Sequence, residues 1–428
     1  MKIADVSLRR RLSLFNVFRL TFFEKRKVKN KLTNTSQITN KMQATWLDKY
    51  FKGDRTIWMI VFILSIFSLL AVYSSTGTLA YKYQRGNTEY YLFKHLFILA
   101  FGIGLMYAAH LVRYTYYSKI SIIALFITVP LLALTLLTGT NLNEASRWLT
   151  LPGTNITFQT SDFAKLALIM FVARMLSKKQ DEIKSFKTAF VPVIIPVFIV
   201  CGLILPANFS TAAVVFTSAV YLMFIGRISM KYIGAMIGIG AVAFTLFVVI
   251  SLALGHSGRI ETWKARIERF SGDGVEDNYQ SDQAKIAIAR GGLIGRFPGN
   301  SIQRNFLPHP YSDFIFAIII EEYGFLGAAF LIFLYLLLFF RVIRFIHHSP
   351  MAFGTLLAAG CTFMLVFQAL INMAVAVNLF PVTGQPLPFL SMGGTSIWFT
   401  SIALGIVLSV SRQVEKEKKE GGAELAAA

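Results

Sequence analysis

The chain has 428 residues, of which 55% are hydrophobic and only 15% charged, against about 25% charged in soluble domains. Its apolar runs approach 20 residues and are continuous rather than alternating, which excludes a soluble globular domain and a membrane β-barrel. The net charge of +20 comes without a nucleic-acid motif, so it reads as basic cytoplasmic loops beside anionic lipid, and no nucleic-acid partner is expected.

Residues 1–55 form a basic segment with Arg9–Arg11 and EKRKVKNK, interspersed with phenylalanine and leucine. Two readings stand: a surface amphipathic helix, or a biological start at Met42 with upstream sequence before it. The first long apolar run begins only near Thr56, unlike a usual cleavable signal peptide. The fold class is all-α polytopic, with about ten spans near 56–75, 91–112, 119–138, 161–177, 188–205, 210–226, 231–254, 313–340, 351–377 and 393–411. They make one transmembrane domain, 56–412, followed by a tail, 413–428, whose last residues GGAELAAA resemble a cloning scar. Ten crossings put both termini on one side. That side also holds Lys178, Lys179, Lys184, Lys187, Arg227, Lys231, Arg341, Arg344 and Arg412, which makes it cytoplasmic. Cys201 and Cys361 fall inside apolar runs and read as buried small hydrophobes.

The long loop 255–312 lies outside and is nevertheless basic, which long loops tolerate. Its stretch YQSDQAKIAIARGGLIG reads as a short amphipathic helix ended by Gly-Gly, ordered against the outer membrane surface. The positive charge suits a phosphate-bearing lipid substrate or lipid headgroups generally.

Three carboxylates stand at or in the eighth span. Asp313 opens it, where Ser312 or Asp313 would cap the helix for about 1 kcal/mol. Glu321 and Glu322 follow about 12 Å deeper, where a carboxylate faces the bundle interior and needs a partner. A buried hydrogen-bond network suits Glu322; Glu321, eight residues from Asp313, projects toward the same side and could line the floor of one cavity with it. Lys165, one turn into the fourth span, stands at the level of Asp313; it pairs either with that aspartate or locally with Asp162. An opposed lysine and the helix N-terminus would both stabilise a carboxylate there, leaving a candidate general base. Arg147 and Trp148, just outside the fourth span, suit phosphate grip and the headgroup layer, or interfacial anchoring alone. LPANFSTAAVV and NLFPVTGQPLPFLSMGGTSIW break helices at the outer face, which is tolerated beside a wet cavity, here expected among the fourth, eighth and tenth spans.

Four stretches, taken in order, resemble the SEDS family (shape, elongation, division and sporulation) over about residues 56–412. They are ASRWLTLPG…FQTSDFAKLALI, NFSTA, YQSDQAKIAIARGGLIG…GNSIQRNFLP…SDFIFAIIIEEYGFLG and FPVTGQPLPFLSMGGTS. GNS-x-Q before the aspartate is closer to the FtsW branch than to RodA. The resemblance implies a peptidoglycan glycosyltransferase of the inner membrane that polymerises lipid II during cell division, with its active site on the extracytoplasmic side. It implies Asp313 as general base and Lys165 beside it as the catalytic pair, and Arg147, Trp148, Glu321, Gln283 and Ser391 as substrate-binding residues. It also implies a class B penicillin-binding protein and other divisome membrane proteins as partners, with a divalent cation, Mg or Mn, as an optional helper and no dedicated metal cage.

The chain departs from the family pattern at Ser146, Thr160, Asp162, Asn208, Phe297 and in PHPYSD, where the usual motif has a glutamate and a histidine. A lipid II flippase using the broken helices and buried glutamates, and a non-enzymatic divisome scaffold, are the competing functions; no convincing internal repeat supports the flippase.

Overall fold

A computed structural model describes residues 51–138, 140–142, 145–150, 157–253, 279–347, 349 and 351–427, with isolated positions between 261 and 270. The two readings of the N-terminal segment 1–50 lie outside the described residues, as do Arg259, Lys264 and Arg269 of the long loop.

The helices, in chain order, are α1 (Arg55–Ser75), α2 (Gly77–Gln84), α3 (Thr88–Leu111), α4 (Tyr114–Thr138), α5 (Thr160–Lys178), α6 (Val191–Ile204), α7 (Phe209–Ile225) and α8 (Met230–Ala253). Then come α9 (Tyr279–Gly291), α10 (Ile315–Ile346), α11 (Ala352–Ala376) and α12 (Gly394–Ala427). Each expected span coincides with one of these. Eight, with α6 taken together with the helical turn Phe186–Phe190 before it, are long and apolar enough to cross a bilayer by length and composition. The other two are α7, with 17 residues, and α5, which carries Asp162, Lys165, Arg174 and Lys178. The chain is an all-α, multi-pass membrane protein.

Polar caps start several spans. Asp54 accepts from Thr56 N (2.8 Å), Asn87 from Tyr90 N (3.1 Å) and Asn208 from Thr211 N (3.3 Å), each satisfying a donor that the helix leaves free. At the centre stand α11 and α12, with 72% and 78% of their most apolar stretches buried, against 11% for α8. Small residues allow that density. A Cβ at Gly405 of α12 would lie 2.3 Å from the carbonyl oxygen of Met106 on α3, so only glycine fits this crossing. At one end of the bundle Asp54 pairs with Arg341 of α10 (2.7 Å) and its amide donates to Ser411 of α12 (2.8 Å).

At the opposite end the structure adds what the sequence reading lacked. A three-stranded antiparallel sheet, β1 (Thr140–Leu142), β2 (Ala145–Thr150) and β3 (Thr157–Gln159), joins α4 to α5, with Trp148 opposite Gln159. The eighth span also differs. It begins at Ile315, with Phe314 at the N-cap and no side-chain cap, so neither Ser312 nor Asp313 caps it. It is broken at Gly324 (φ 67°, ψ −170°). There Phe325 N donates to Gly292 O (2.9 Å) and Leu326 N to Leu293 O (3.2 Å), so the end of α9 fills the break. The stretch 325–346 alone is about 33 Å long, enough for a hydrocarbon core of about 30 Å. The amphipathic helix expected in the long loop is α9. Its Ala284 and Ala287 bury against Leu307, Phe314, Ala317 and Ile318, so it is fastened to the start of α10.

Candidate active site

Tyr311, Ser312 and Asp313 form the last turn before α10, and three consecutive carbonyls of this turn are held from one direction. Met392 N donates to Tyr311 O (2.9 Å), Ser391 Oγ to Ser312 O (2.7 Å) and Asn372 Nδ2 to Asp313 O (2.9 Å). Asn372 is on α11; Ser391 and Met392 belong to the irregular segment before α12. That segment is fixed in turn. Asn372 Nδ2 also reaches Gln385 O (2.7 Å), Gln385 Nε2 reaches Thr211 Oγ1 of α7 (2.7 Å), and Gln368 Nε2 of α11 reaches Pro386 O (3.0 Å). Ser68 of α1, itself bonded to His95 of α3 (2.8 Å), donates to Leu390 O (3.1 Å). Irregular backbone at the edge of a membrane bundle needs such partners, because bilayer lipid supplies none. The Asp313 carboxylate is left half-buried, with the Ser312 hydroxyl donating to its Oδ1 at 2.9 Å.

Lys165 does not make its ion pair with Asp313. It pairs with Asp162 one turn back (2.7 Å), both side chains being over nine-tenths buried, and donates to Gln368 Oε1 (2.9 Å). A neighbour at i,i+3 is reached without ordering a second chain segment, so the local pair wins. The two expected catalytic residues still meet the same helix: Lys165 binds α11 at Gln368, and Asp313 binds it at Asn372, one turn further on.

Glu321 does not line a cavity with Asp313. It is fully buried and accepts from Ile302 N (3.1 Å), Gln303 N (3.2 Å) and the Ser301 hydroxyl, so it closes the loop 301–303 onto α10. Glu322 accepts from the Ser74 hydroxyl and from Ser301 N (3.4 Å), while Arg304 holds Ser74 O (3.0 Å). Both glutamates are thus structural receptors for the long loop. Ser391, expected at the substrate, is buried and holds Ser312 O and Leu387 N (2.8 Å) instead. Gln283 is half-buried on α9, beside Ala284 of the small apolar cluster. Trp148 is half-buried on β2, where pairing with β3 carries it to the start of α5; the Arg147 side chain lies outside the described residues. A small cleft opens among α4, α5, α6 and the turn into α7, lined by Thr135, Thr160, Ser161 and Asn208 among others. Asp313 does not line this cleft, which therefore differs from the cavity expected among the fourth, eighth and tenth spans.

A family model described as cell cycle protein, covering FtsW, RodA and SpoVE, matches residues 54–416. The chain belongs to this family. It is 32% identical over 362 residues to a protein of Trichlorobacter lovleyi named probable peptidoglycan glycosyltransferase FtsW, covering 84% of this chain and 93% of that one. It is 32% identical over 363 residues to stage V sporulation protein E of Bacillus subtilis, covering 84% and 97%. The rod shape determining protein RodA of Thermus thermophilus has the same fold, with a TM-score of 0.62 at 23% identity over 85% of this chain and 98% of that one. A chain from a structure titled structural coordination of polymerization and crosslinking by a peptidoglycan synthase complex also aligns at 0.62, with 23% identity over 85% and 98%.

Where this member departs from the family pattern, the backbone keeps the shape. Asn208, in place of the usual aspartate, caps α7 through its side-chain oxygen. Phe297, in place of a loop glycine, holds a left-handed φ of 69°. Among the described residues, no group of three or more His, Cys, Asp or Glu side chains is gathered as metal ligands. Gln368 and Asn372 are the site residues that the sequence reading missed. Their signal was there: two amides four residues apart in an otherwise apolar span share one helix face and call for polar partners.

Proposed function

We propose that this protein is a peptidoglycan glycosyltransferase that polymerises lipid II for cell division, with Asp313 as its general base. The observation that carries the reading is the contrast at Asp313. Its carbonyl and the two before it are fastened, while its carboxylate stays partly exposed and, among the described residues, is met by the neighbouring Ser312 hydroxyl. A carboxylate held still, with no cation paired to it among the described residues, can accept a proton from a bound hydroxyl.

In the reaction, Asp313 takes the proton of the acceptor's N-acetylglucosamine 4-hydroxyl. That oxygen attacks C1 of the donor N-acetylmuramic acid from the face opposite the leaving group, and undecaprenyl pyrophosphate departs with inversion at C1. Lys165 acts as a positioning residue: through Gln368 it steadies α11, which carries Asn372 to Asp313. Arg147 and Trp148, at the mouth of α5, are assigned to the pyrophosphate and the headgroup layer. The substrate being a lipid-linked sugar, the site faces the extracytoplasmic side and both termini the cytoplasm, in line with the basic loops. The relatives' names support the activity. A class B penicillin-binding protein is the partner assigned, supported by the fold shared with the synthase-complex chain.

The test is purified protein, with and without its penicillin-binding protein, given fluorescent lipid II and read as glycan length on a gel. Asp313 caps no helix, so Asp313→Asn should fold normally and lose on the order of 10²-fold or more of the rate. Polymerisation by Asp313→Asn at near wild-type rate would end the assignment.

A further inference from the structure

His95 is wholly buried in α3, about 10 Å along the helix from its start. An ionisable side chain inside a membrane span is costly and calls for a task. Its Nε2 lies 2.8 Å from Ser68 Oγ of α1, and the same oxygen lies 3.1 Å from Leu390 O. A carbonyl only accepts, so the one proton of the Ser68 hydroxyl goes to Leu390, and the imidazole donates from Nε2. The tautomer is thereby fixed, and Nδ1 meets no hydrogen-bond partner among the described residues. The single donor of the ring is committed to Ser68, although the other nitrogen is left unpaired.

Ser68 departs from a local habit. Ser65 on the same helix, and Thr128, Thr135 and Ser218 elsewhere, each donate to the carbonyl four residues back at 2.7 Å. That bond needs no second segment to be ordered, and for Ser68 it would go to Leu64 O. Ser68 reaches instead a carbonyl 322 residues away. The donor arriving from His95 fills the acceptor side of the hydroxyl while its proton faces Leu390, and so holds the serine out of its local bond.

The Ser68 bond lands on a strained corner. Phe389, a buried residue, holds a left-handed φ of 69°, which a bulky side chain keeps only where its surroundings impose it. Two hydroxyls flank it: Tyr335 of α10 donates to Pro388 O, and Ser68 to Leu390 O. The next two residues are Ser391 and Met392, which hold Ser312 O and Tyr311 O in the turn of Asp313. We propose that His95 is a positioning residue of the candidate site. It selects the Ser68 rotamer that pins the corner at Phe389, and the corner sets Ser391 and Met392 against the Asp313 turn. Only the last step, from that turn to the rate, rests on the polymerase reading above; the relay from His95 to Met392 belongs to the fold.

Two readouts on the full chain in nanodiscs separate the relay from the chemistry. Hydrogen exchange at the amides of Ser391 and Met392, both hydrogen-bonded here, reads the relay whether or not glycan is made. His95→Leu should speed exchange there about tenfold, while His95→Gln, which restores a donor, should stay near the parent protein. Turnover of fluorescent lipid II, with the penicillin-binding protein present, reads the effect on the site. His95→Leu should lower kcat about tenfold at unchanged KM, and Ser68→Ala should lower it equally. The two together should lower it no further, because both break one chain of contacts, and His95→Gln should return most of the rate. Parent-like exchange in His95→Leu, or equal exchange in the Leu and Gln variants, overturns the relay. So does a parent-level kcat in His95→Leu, or losses that multiply in the double variant. If His95→Leu fails to fold, Ser68→Ala decides: unchanged exchange or unchanged turnover in it overturns the proposal. A parent protein that makes no glycan ends the polymerase reading instead, and the exchange comparison still decides the relay.

Discussion

The side-chain amide of Asn372 holds two main-chain carbonyls at once, that of Asp313 at 2.9 Å and that of Gln385 at 2.7 Å. One buried side chain thus joins the turn that presents the carboxylate to the irregular segment before α12. Asn372→Leu keeps the volume and removes both bonds. Two carbonyls would then lie unpaired, at about 1–3 kcal/mol for each buried group left unsatisfied. The larger effect is expected on rate, because a displacement of about 1 Å at a reacting group can cost about 10²-fold. Thermal unfolding in detergent and the initial rate with fluorescent lipid II measure the two separately. A variant that melts lower and polymerises at full rate would show that α11 does not position Asp313.

The buried pair of Lys165 and Asp162 gives a second test. Lys165→Met alone strands a buried carboxylate, at about 3–5 kcal/mol. Adding Asp162→Leu removes that charge, and most of the lost stability should return, since an apolar pair can replace a buried ion pair. The double variant still lacks the bond from Lys165 to Gln368, so its polymerisation should stay about tenfold down despite a restored melting temperature. Full activity in the double variant would reduce Lys165 to a counter-ion for Asp162.

The spans were legible because continuous apolar runs cannot be satisfied any other way, and one of the two weakest, α7, announces its start with the capping Asn208. The β-sheet was not, because two of its strands have three residues each and carry no alternation to read. Asp313 was legible as a chemical group at a boundary. Its fastening was not, because it comes from Asn372, Ser391 and Met392, far along the chain and recognisable only once α11 and α12 stand beside α10. The expected pairing of Lys165 with Asp313 failed for a related reason. Charge sign alone does not choose between a partner three residues away and one on another helix, and the nearer was taken. Glu321 was read as facing a cavity because its helix looked unbroken; the break at Gly324 and the loop folded into it give that carboxylate three donors instead.

That break supplies the last prediction. Gly291 ends α9 with its face against α10, where a Cβ would come within 2.1 Å of Ile320 O. The next residue, Gly292, has φ +53° but nothing within 4 Å of its Cβ position. Two adjacent glycines are therefore required for different reasons, one for space and one for backbone conformation. Gly292→Ala should cost only the left-handed backbone term, about 1–2 kcal/mol, and leave the loop docked. Gly291→Ala must push α9 off the start of α10, because backbone cannot yield as a side chain can. It should open the contacts of Gly292 and Leu293 with Phe325 and Leu326, free the loop that Glu321 closes, and lower polymerisation by about 10²-fold through the displaced Asp313 turn. Limited proteolysis between residues 292 and 306, run on both variants and the parent protein, reads the docking directly. Equal protection of the two variants would mean that α9 is not seated on α10 as described.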